Sequence, residues 1–355
     1  MLLGVGKGIQ KVAPLRWLIH AVWAYEYDEL LAQTYHGVYF KNPVGLSAGF
    51  DKNIELPPVL KAVGFGFMEA GSITAKPTIG NPRPWFQRLV HSESLIVHAG
   101  LANKGVTAIL QHLARYPAET FDRFVLNVSI AYTNDQAGKS EAQAIDDYIE
   151  SASQVQANGR ASVITLNISC PNTYGGEPFT SPAKLEKLLS RIDALQLTQP
   201  LFLKMPSDLN WRQFDRLLKV ARHHTVAGVT ICNLAKTREL VDPRDKKEKL
   251  MVGGLSGVPV RNLSNELIKK TYAAYGERFT IIGVGGVFTA DDAYTKIKLG
   301  ASLVELITGM IFFGPQRIGQ INRELAQLVR RDGYSSIQEA IGVDNTPSAR
   351  PKIKI

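Results

Sequence analysis

Val163-Ile-Thr-Leu-Asn167-Ile-Ser-Cys170-Pro-Asn172-Thr173 is an apolar run that breaks into two asparagines, a serine and a cysteine. Residues 163–166 read as a buried strand, since the run is short, apolar and rich in β-branched side chains. Pro171 has no N–H to give to a ladder and marks the strand's end. The polar groups therefore fall where a strand becomes a loop, the edge at which parallel α/β proteins bind ligands. A thiol between two amides suits a base or nucleophile beside a ligand with many hydrogen-bonding atoms. A buried structural cysteine flanked by capping asparagines accounts for the same residues, because free cysteine commonly serves as a small core residue.

The same transition recurs outward from this stretch. Strands are expected at residues 44–48, 67–70, 124–128, 201–205, 228–232, 280–284 and 302–307, alternating with helices near 55–63, 104–115, 142–157, 182–194, 211–223, 264–275 and 290–299. Eight strands separated by helices give the order of an α/β (β/α)8 TIM barrel, with a doubly wound open sheet as the alternative. Residues 76–102 form a polar excursion carrying Gly80-Asn-Pro-Arg-Pro84, read as loop or hairpin. A closing helix is expected at 316–331, a short one at 335–341, and a loose basic tail to residue 355.

Residues 1–35 differ from the rest. Pro14 suits a first helical position, Leu15, Leu18, Ile19 and Val22 follow at helical spacing, and Trp17, Trp23, Tyr25, Tyr27, Lys7, Lys11 and Arg16 lie around them. Such a segment lies in a membrane interface or packs on the barrel or a second subunit. The chain thus divides into a helical, membrane-associating segment over 1–35, the barrel over 36–341 and a tail over 342–355.

The 355 residues are 45% hydrophobic and 21% charged, enough for a sizeable core in one large domain or two. A net charge of +9 points to an anionic substrate, an anionic cofactor or an acidic membrane surface. No basic block interleaved with aromatics speaks for nucleic acid. Two cysteines, Cys170 and Cys232, exclude a disulfide framework and CxxC metal sites. No apolar run reaches the ~18 residues a bilayer span needs. Neither a signal-peptide pattern nor a mitochondrial presequence is visible, so the expected place is the cytoplasmic face of a bacterial inner membrane, with a soluble cytoplasmic protein as the alternative.

The strand ends carry Lys52, Ser72, Asn127, Asn167, Cys170, Asn172, Lys204, Asn233, Gly283-Val-Gly-Gly286 and Thr308-Gly309. No histidine or paired carboxylate is among them, which argues against acid–base hydrolysis and zinc chemistry. Amides with two lysines suit a flat, polar, anionic heterocycle, as a flavin and a pyrimidine both are. Gly283–Gly286 after strand seven with Thr308-Gly309 after strand eight make a phosphate cradle. Gly253-Gly-Leu-Ser-Gly257 is a second glycine loop or simply a turn. Lys204 sits in an apolar run, where an unpaired ammonium is costly, so an anionic partner is expected.

These residues resemble the dihydroorotate dehydrogenase family of FMN-dependent barrels, over residues 38–341. The motifs are Asn42-Pro-Val-Gly-Leu-Ser-Ala-Gly-Phe-Asp-Lys52, Gly71-Ser-Ile-Thr74, Gly80-Asn-Pro-Arg-Pro84, Asn167-Ile-Ser-Cys-Pro-Asn172, Gly253-Gly-Leu-Ser-Gly257 and Ile281-Ile-Gly-Val-Gly-Gly286. The Ala-Gly-Phe-Asp-Lys form and the N-terminal segment look like the membrane-associated, quinone-reducing class 2. The resemblance implies oxidation of dihydroorotate to orotate in pyrimidine (UMP) biosynthesis. It also implies FMN contacts from Ala48, Gly49, Lys52, Ser72, Asn127, Asn167, Lys204, Gly257, Gly285 and Gly286, with Ile307 (replacing a family Tyr) and Thr308 by the phosphate. Lys52, Asn167, Asn172 and Asn233 would hold substrate, and Cys170 would remove the C5 proton while hydride leaves C6. The resemblance leaves oligomeric state open.

The chain also departs from the family. Class 2 carries Ser as the base, whereas Cys at this position is the habit of soluble class 1. A thiol, with a reference pKa of about 8.5, ionises more readily near neutral pH than a hydroxyl. Both positions at which the two classes place a further substrate-binding Asn are altered, to Ala102 and Val97, which leaves His98 or Asn103 to supply that arm. Leu234 stands where class 2 has a Thr, and Ser129-Ile-Ala-Tyr132 replaces a Gly-Lys-Asn run. These changes keep open another cyclic amide with a soluble acceptor, or a flavin-binding protein without turnover.

Overall fold

The computed structural model describes residues 2–345 except 26, 136–138, 175 and 248, so most of the tail expected to be loose lies outside the described residues. Eight parallel strands close into a barrel, and the open-sheet alternative falls. In chain order they are β1 Val44–Leu46, β2 Phe67–Ile73, β3 Val125–Ile130, β4 Val163–Asn167, β5 Leu201–Lys204, β6 Val226–Ile231, β7 Thr280–Val284 and β8 Leu303–Leu306. Closure is made by β8 on β1, with Val304 opposite Val44. The strand at 163 ends at Asn167, four residues before Pro171. The Asn167 side chain accepts the Ser169 N–H at 3.3 Å, which turns the backbone out of the ladder before the proline can.

The helices around the barrel follow the expected ranges closely. Three of them begin with a reciprocal cap in which a side chain and a backbone N–H exchange bonds three residues apart: Ser140 with Gln143, Asn210 with Gln213, and Thr289 with Asp292. Leu185, Leu188, Leu189 and Ile192 show how each helix buries one apolar stripe on the strands.

Side chains two apart on a strand share a face, and this sorts the barrel interior into layers. The floor is apolar, with Phe67, Val125, Val163, Phe202, Ile282 and Leu303 packed around Phe40. Phe40 belongs to the hairpin Gln33–Tyr35/Val38–Phe40, which plugs the barrel bottom and spans the domain boundary drawn at residue 35. Further up six of the strands the layer turns polar, with Glu69, Asn127, Thr165, Lys204, Thr230 and Glu305 all buried. Gly45 leaves room for this floor, because a Cβ there would lie 2.2 Å from the Phe67 ring. Gly45→Ala is therefore expected to cost about 1–3 kcal/mol by overpacking and to lower the thermal midpoint. Gly4→Ala, whose added methyl meets nothing within 4 Å, should not.

The excursion at 76–102 is a hairpin, Phe86–Leu89 with Ser94–Val97, laid over the barrel mouth. The glycine stretch at 253–257 is more than a turn, since Gly254–Leu255 adds a third strand through Val97 and Ile96. At the N-terminus, α1 (Leu2–Ile9) and α2 (Ala13–Trp23) lie on the barrel's flank. Lys7 pairs with Glu55 at 2.6 Å, and Ile19 and Trp23 pack half-buried on the core. The other face of α2 stays apolar and open, with Trp17 71%, Leu18 51% and Val22 64% exposed. No described helix is long and apolar enough to cross a membrane.

Candidate active site

A cavity of about 520 Å³ opens at the C-terminal ends of the strands. Of the residues that the resemblance assigns to FMN, to substrate or to the base, all line it except Asn127. Ala48, Gly49 and Lys52 come from the loop after β1, Ser72 from β2, and Asn167, Cys170 and Asn172 from β4 and its loop. Lys204 lies on β5, Asn233 follows β6, Gly285 and Gly286 follow β7, Ile307 and Thr308 follow β8, and Gly257 comes from the added strand. Asn127 sits one layer down on β3, where Thr165 Oγ1 donates to its Oδ1 at 3.0 Å.

The amides form a braced ring. Asn167 Nδ2 donates to Ser72 Oγ at 2.9 Å, and Asn233 Nδ2 donates to Asn167 Oδ1 at 3.0 Å and to Ser169 Oγ at 3.1 Å. Ser169 Oγ in turn donates to the Lys204 carbonyl at 2.7 Å, tying β4 to β5. Asn172 Nδ2 donates to the Val97 carbonyl at 3.0 Å, and the Asn172 carbonyl accepts from Asn81 Nδ2 at 2.9 Å. The Gly80-Asn-Pro-Arg-Pro84 motif thus serves the site from outside by holding the Cys170 loop against the hairpin.

Cys170 is half-buried at the cavity wall, whereas Cys232 is almost fully buried and its thiol is pushed up to about 12 by burial. Burial also raises the Cys170 thiol, an effect that the Asn172 N–H and the Lys52 ammonium oppose. The thiol is therefore harder to ionise than its ordinary value suggests. Lys52 is held below its ordinary value by burial, with Lys204 adding to the shift and Cys170 opposing it.

The anionic partner expected for Lys204 is part of the protein. Its Nζ lies 3.2 Å from Glu69 Oε1, 3.9 Å from Glu305 Oε2 and donates to Ser47 Oγ at 3.1 Å. Burial opposes the ammonium, but the two facing carboxyls outweigh it and hold Lys204 above its ordinary value. No paired carboxylate stands at this end in the sequence, and the barrel brings one together from β2 and β8. Each of the three ionisable groups is embedded in an apolar strand, as in Phe67-Met-Glu-Ala70 and Leu303-Val-Glu-Leu306. That was the available signal.

Neither residue expected to replace the altered substrate arm is placed to do so. Asn103 is spent on Thr74 Oγ1 at 2.8 Å and the Leu101 carbonyl at 2.7 Å, and His98 faces Asn81 at 3.3 Å. Neither lines the cavity, nor does Ala102, whereas Val97 and Leu234 do.

Residues 30–329 match the family profile described as Dihydroorotate dehydrogenase. A protein of Myxococcus xanthus named dihydroorotate dehydrogenase (quinone) is 37% identical over 325 residues, covering 90% of this chain and 86% of the relative. A protein of the same name from Haloarcula marismortui is 37% identical over 317 residues, 89% of this chain and 87% of its own. The crystal structure of ligand-free DHODH from Eimeria tenella superposes with a TM-score of 0.84 at 29% identity, covering 97% of this chain and 99% of that one. The same enzyme in complex with ferulenol gives 0.82, covering 94% of both chains.

Proposed function

The chain belongs to the dihydroorotate dehydrogenase family, and we propose that it oxidises dihydroorotate to orotate, a step of pyrimidine synthesis, with FMN in the barrel-mouth cavity and a quinone as the final acceptor. The observation that carries this reading is Cys170 on the wall of a cavity it shares with Lys52 and the amides of Asn167, Asn172 and Asn233. The cavity suits FMN on two grounds. Buried polar atoms beneath and beside it, Asn127 Nδ2 and both Glu305 oxygens, have no partner among the described residues. Gly257 and Gly286, at φ of 75° and 72°, leave backbone bare where a Cβ would lie 2.2 Å from the Glu93 carbonyl and 2.4 Å from Arg261. Bound FMN supplies two-electron acceptance from C6 of the substrate and delivery to the quinone.

The rest is done by the chain. Asn167, Asn172 and Asn233 present amides to the ring's polar edge, and Lys52 offsets its negative charge. Cys170 Sγ takes the proton leaving C5, and the neighbouring Lys52 ammonium favours the thiolate that accepts it. Ser72, Gly257, Gly286, Ile307 and Thr308 line the part of the cavity assigned to the cofactor. The open face of α2 suits a membrane surface from which a quinone enters. Anaerobic dihydroorotate should bleach the bound flavin in a stopped-flow trace. Flavin that stays oxidised would remove dihydroorotate as substrate. Val97 and Leu234 on the wall favour a second reading, oxidation of another cyclic amide, and dihydrouracil in the same trace decides between them.

Burial of Cys170 gives the reaction a pH dependence. Below the thiol's pKa the thiolate fraction grows about tenfold per pH unit, so flavin reduction should climb through neutrality. It should still be rising at about pH 9, above the ordinary thiol value of about 8.5. A plateau reached below about pH 7.5 would mean that another group is the base.

A further inference from the structure

The polar layer beneath the cavity holds two carboxyl groups and one ammonium, all shut off from solvent. Glu69 and Glu305 are both 0% exposed. Lys204 stands closer to Glu69, at 3.2 Å, than to Glu305, at 3.9 Å, and spends another N–H on Ser47. One cation therefore serves two acids, and Glu305 is the acid left with less. Two carboxyls this close in a dry interior do not both ionise. Burial, then the facing Glu69, push the Glu305 acid well above the usual carboxylate range, with Lys204 opposing them. Glu305 also lines the cavity floor beside Ser47 and Lys204. Neither of its oxygens accepts an N–H or O–H from the described residues, and the groups beside the carboxyl are Glu69 and Ser47. A carboxyl so deeply buried, with no donor bonded to either oxygen and placed at a cavity wall, has room to serve an occupant.

We propose that Glu305 is a neutral carboxylic acid whose O–H donates a hydrogen bond into the cavity, to an acceptor atom of the heterocycle bound there. It is thus a cofactor-holding residue that works as a donor and adds no negative charge. A neutral acid beneath the ring leaves the Lys204 charge offset by Glu69 alone. An ionised Glu305 would give the cluster a net negative charge under a group that must accept electrons. The proposal rests on the reading of the cavity as an FMN site, and the test separates the two.

The test uses the full-length chain with FMN as the probe. Glu305→Ala should weaken FMN binding, followed by flavin fluorescence, by about tenfold, the scale of one lost hydrogen bond to a buried acceptor. Glu305→Gln, which keeps a neutral donor, should restore affinity to within roughly threefold of the parent chain. The midpoint potential should move by less than about 30 mV in Glu305→Gln, which is tenfold in the two-electron equilibrium. The infrared spectrum of the parent chain should contain a protonated-carboxyl C=O band that shifts when FMN is added and is missing in Glu305→Gln. Tighter FMN binding or a potential raised by more than that tenfold step in Glu305→Gln would show an ionised carboxylate and overturn the proposal. So would a parent chain without the band, a band that FMN leaves in place, or equal affinity in all three proteins. If Glu305→Ala does not fold, the Gln and infrared arms still decide. A parent chain that fails to bind FMN would refute the cofactor reading and with it the donor role, while the band in the FMN-free protein still reports whether Glu305 is a neutral acid.

Discussion

Cys170→Ala is expected to leave FMN bound and to slow its reduction by dihydroorotate roughly 100- to 10,000-fold, the contribution of a positioned base. The loss should appear in the anaerobic flavin trace and not in affinity for FMN, because the amide ring around Asn167, Ser72 and Asn233 closes without the thiol. The change should also be tolerated structurally, since Cys170 is half-buried at the wall of a cavity and not packed in the core. Cys170→Ser keeps a proton acceptor of higher intrinsic pKa, so it should retain part of the rate and move the rising limb of the pH profile to higher pH. Unchanged reduction in the alanine variant would take the base role away from Cys170.

The second large effect concerns α2. Changing Trp17, Leu18 and Val22 together to Glu should abolish binding to anionic phospholipid vesicles and turnover with a membrane quinone. Dihydroorotate should still bleach the flavin. Fully burying an apolar side chain of this size is worth about 1.5–3 kcal/mol, so even partial insertion of three makes a loss of roughly 100-fold. The fold should survive, because these side chains are 71%, 51% and 64% exposed and pack on little of the barrel. Retained quinone turnover at the parental rate would leave α2 with a packing role through Ile19 and Trp23 alone.

Much of the site was legible from the sequence because strand-to-loop transitions in a parallel barrel all face one way. Identifying where an apolar run gives way to Asn, Lys, Ser or Gly was enough to collect Lys52, Ser72, Asn167, Cys170, Lys204, Asn233, Gly286 and Thr308 on one cavity wall. Asn127 departs because it lies within β3, not past its end, and period-2 alternation sends it into the polar interior layer. The hairpin plug at 33–40 was missed for a different reason. Its strands are three residues each, too short to show alternation. The pairing of residues 254–255 with the lid hairpin was equally hidden, since a Gly-Gly run has no strand signature of its own.

The sequence by itself determined the alternation of eight strands with helices, the edge that carries the chemistry and the thiol set between two amides, since each of these is written in local alternation and in short contiguous motifs. Closure into a barrel rather than an open sheet is a tertiary fact. Only the tertiary structure decided the charge state of that site. Cys170 is raised by burial and steadied by Lys52, and Lys204 meets the Glu69 and Glu305 carboxyls from strands far apart in the chain. Asn103 and His98 do not replace the altered substrate arm at Val97 and Ala102, because both are held by other partners. Local sequence fixes which groups stand on a strand. The energy of a buried charge depends on distance and dielectric, and both are set only when the barrel closes.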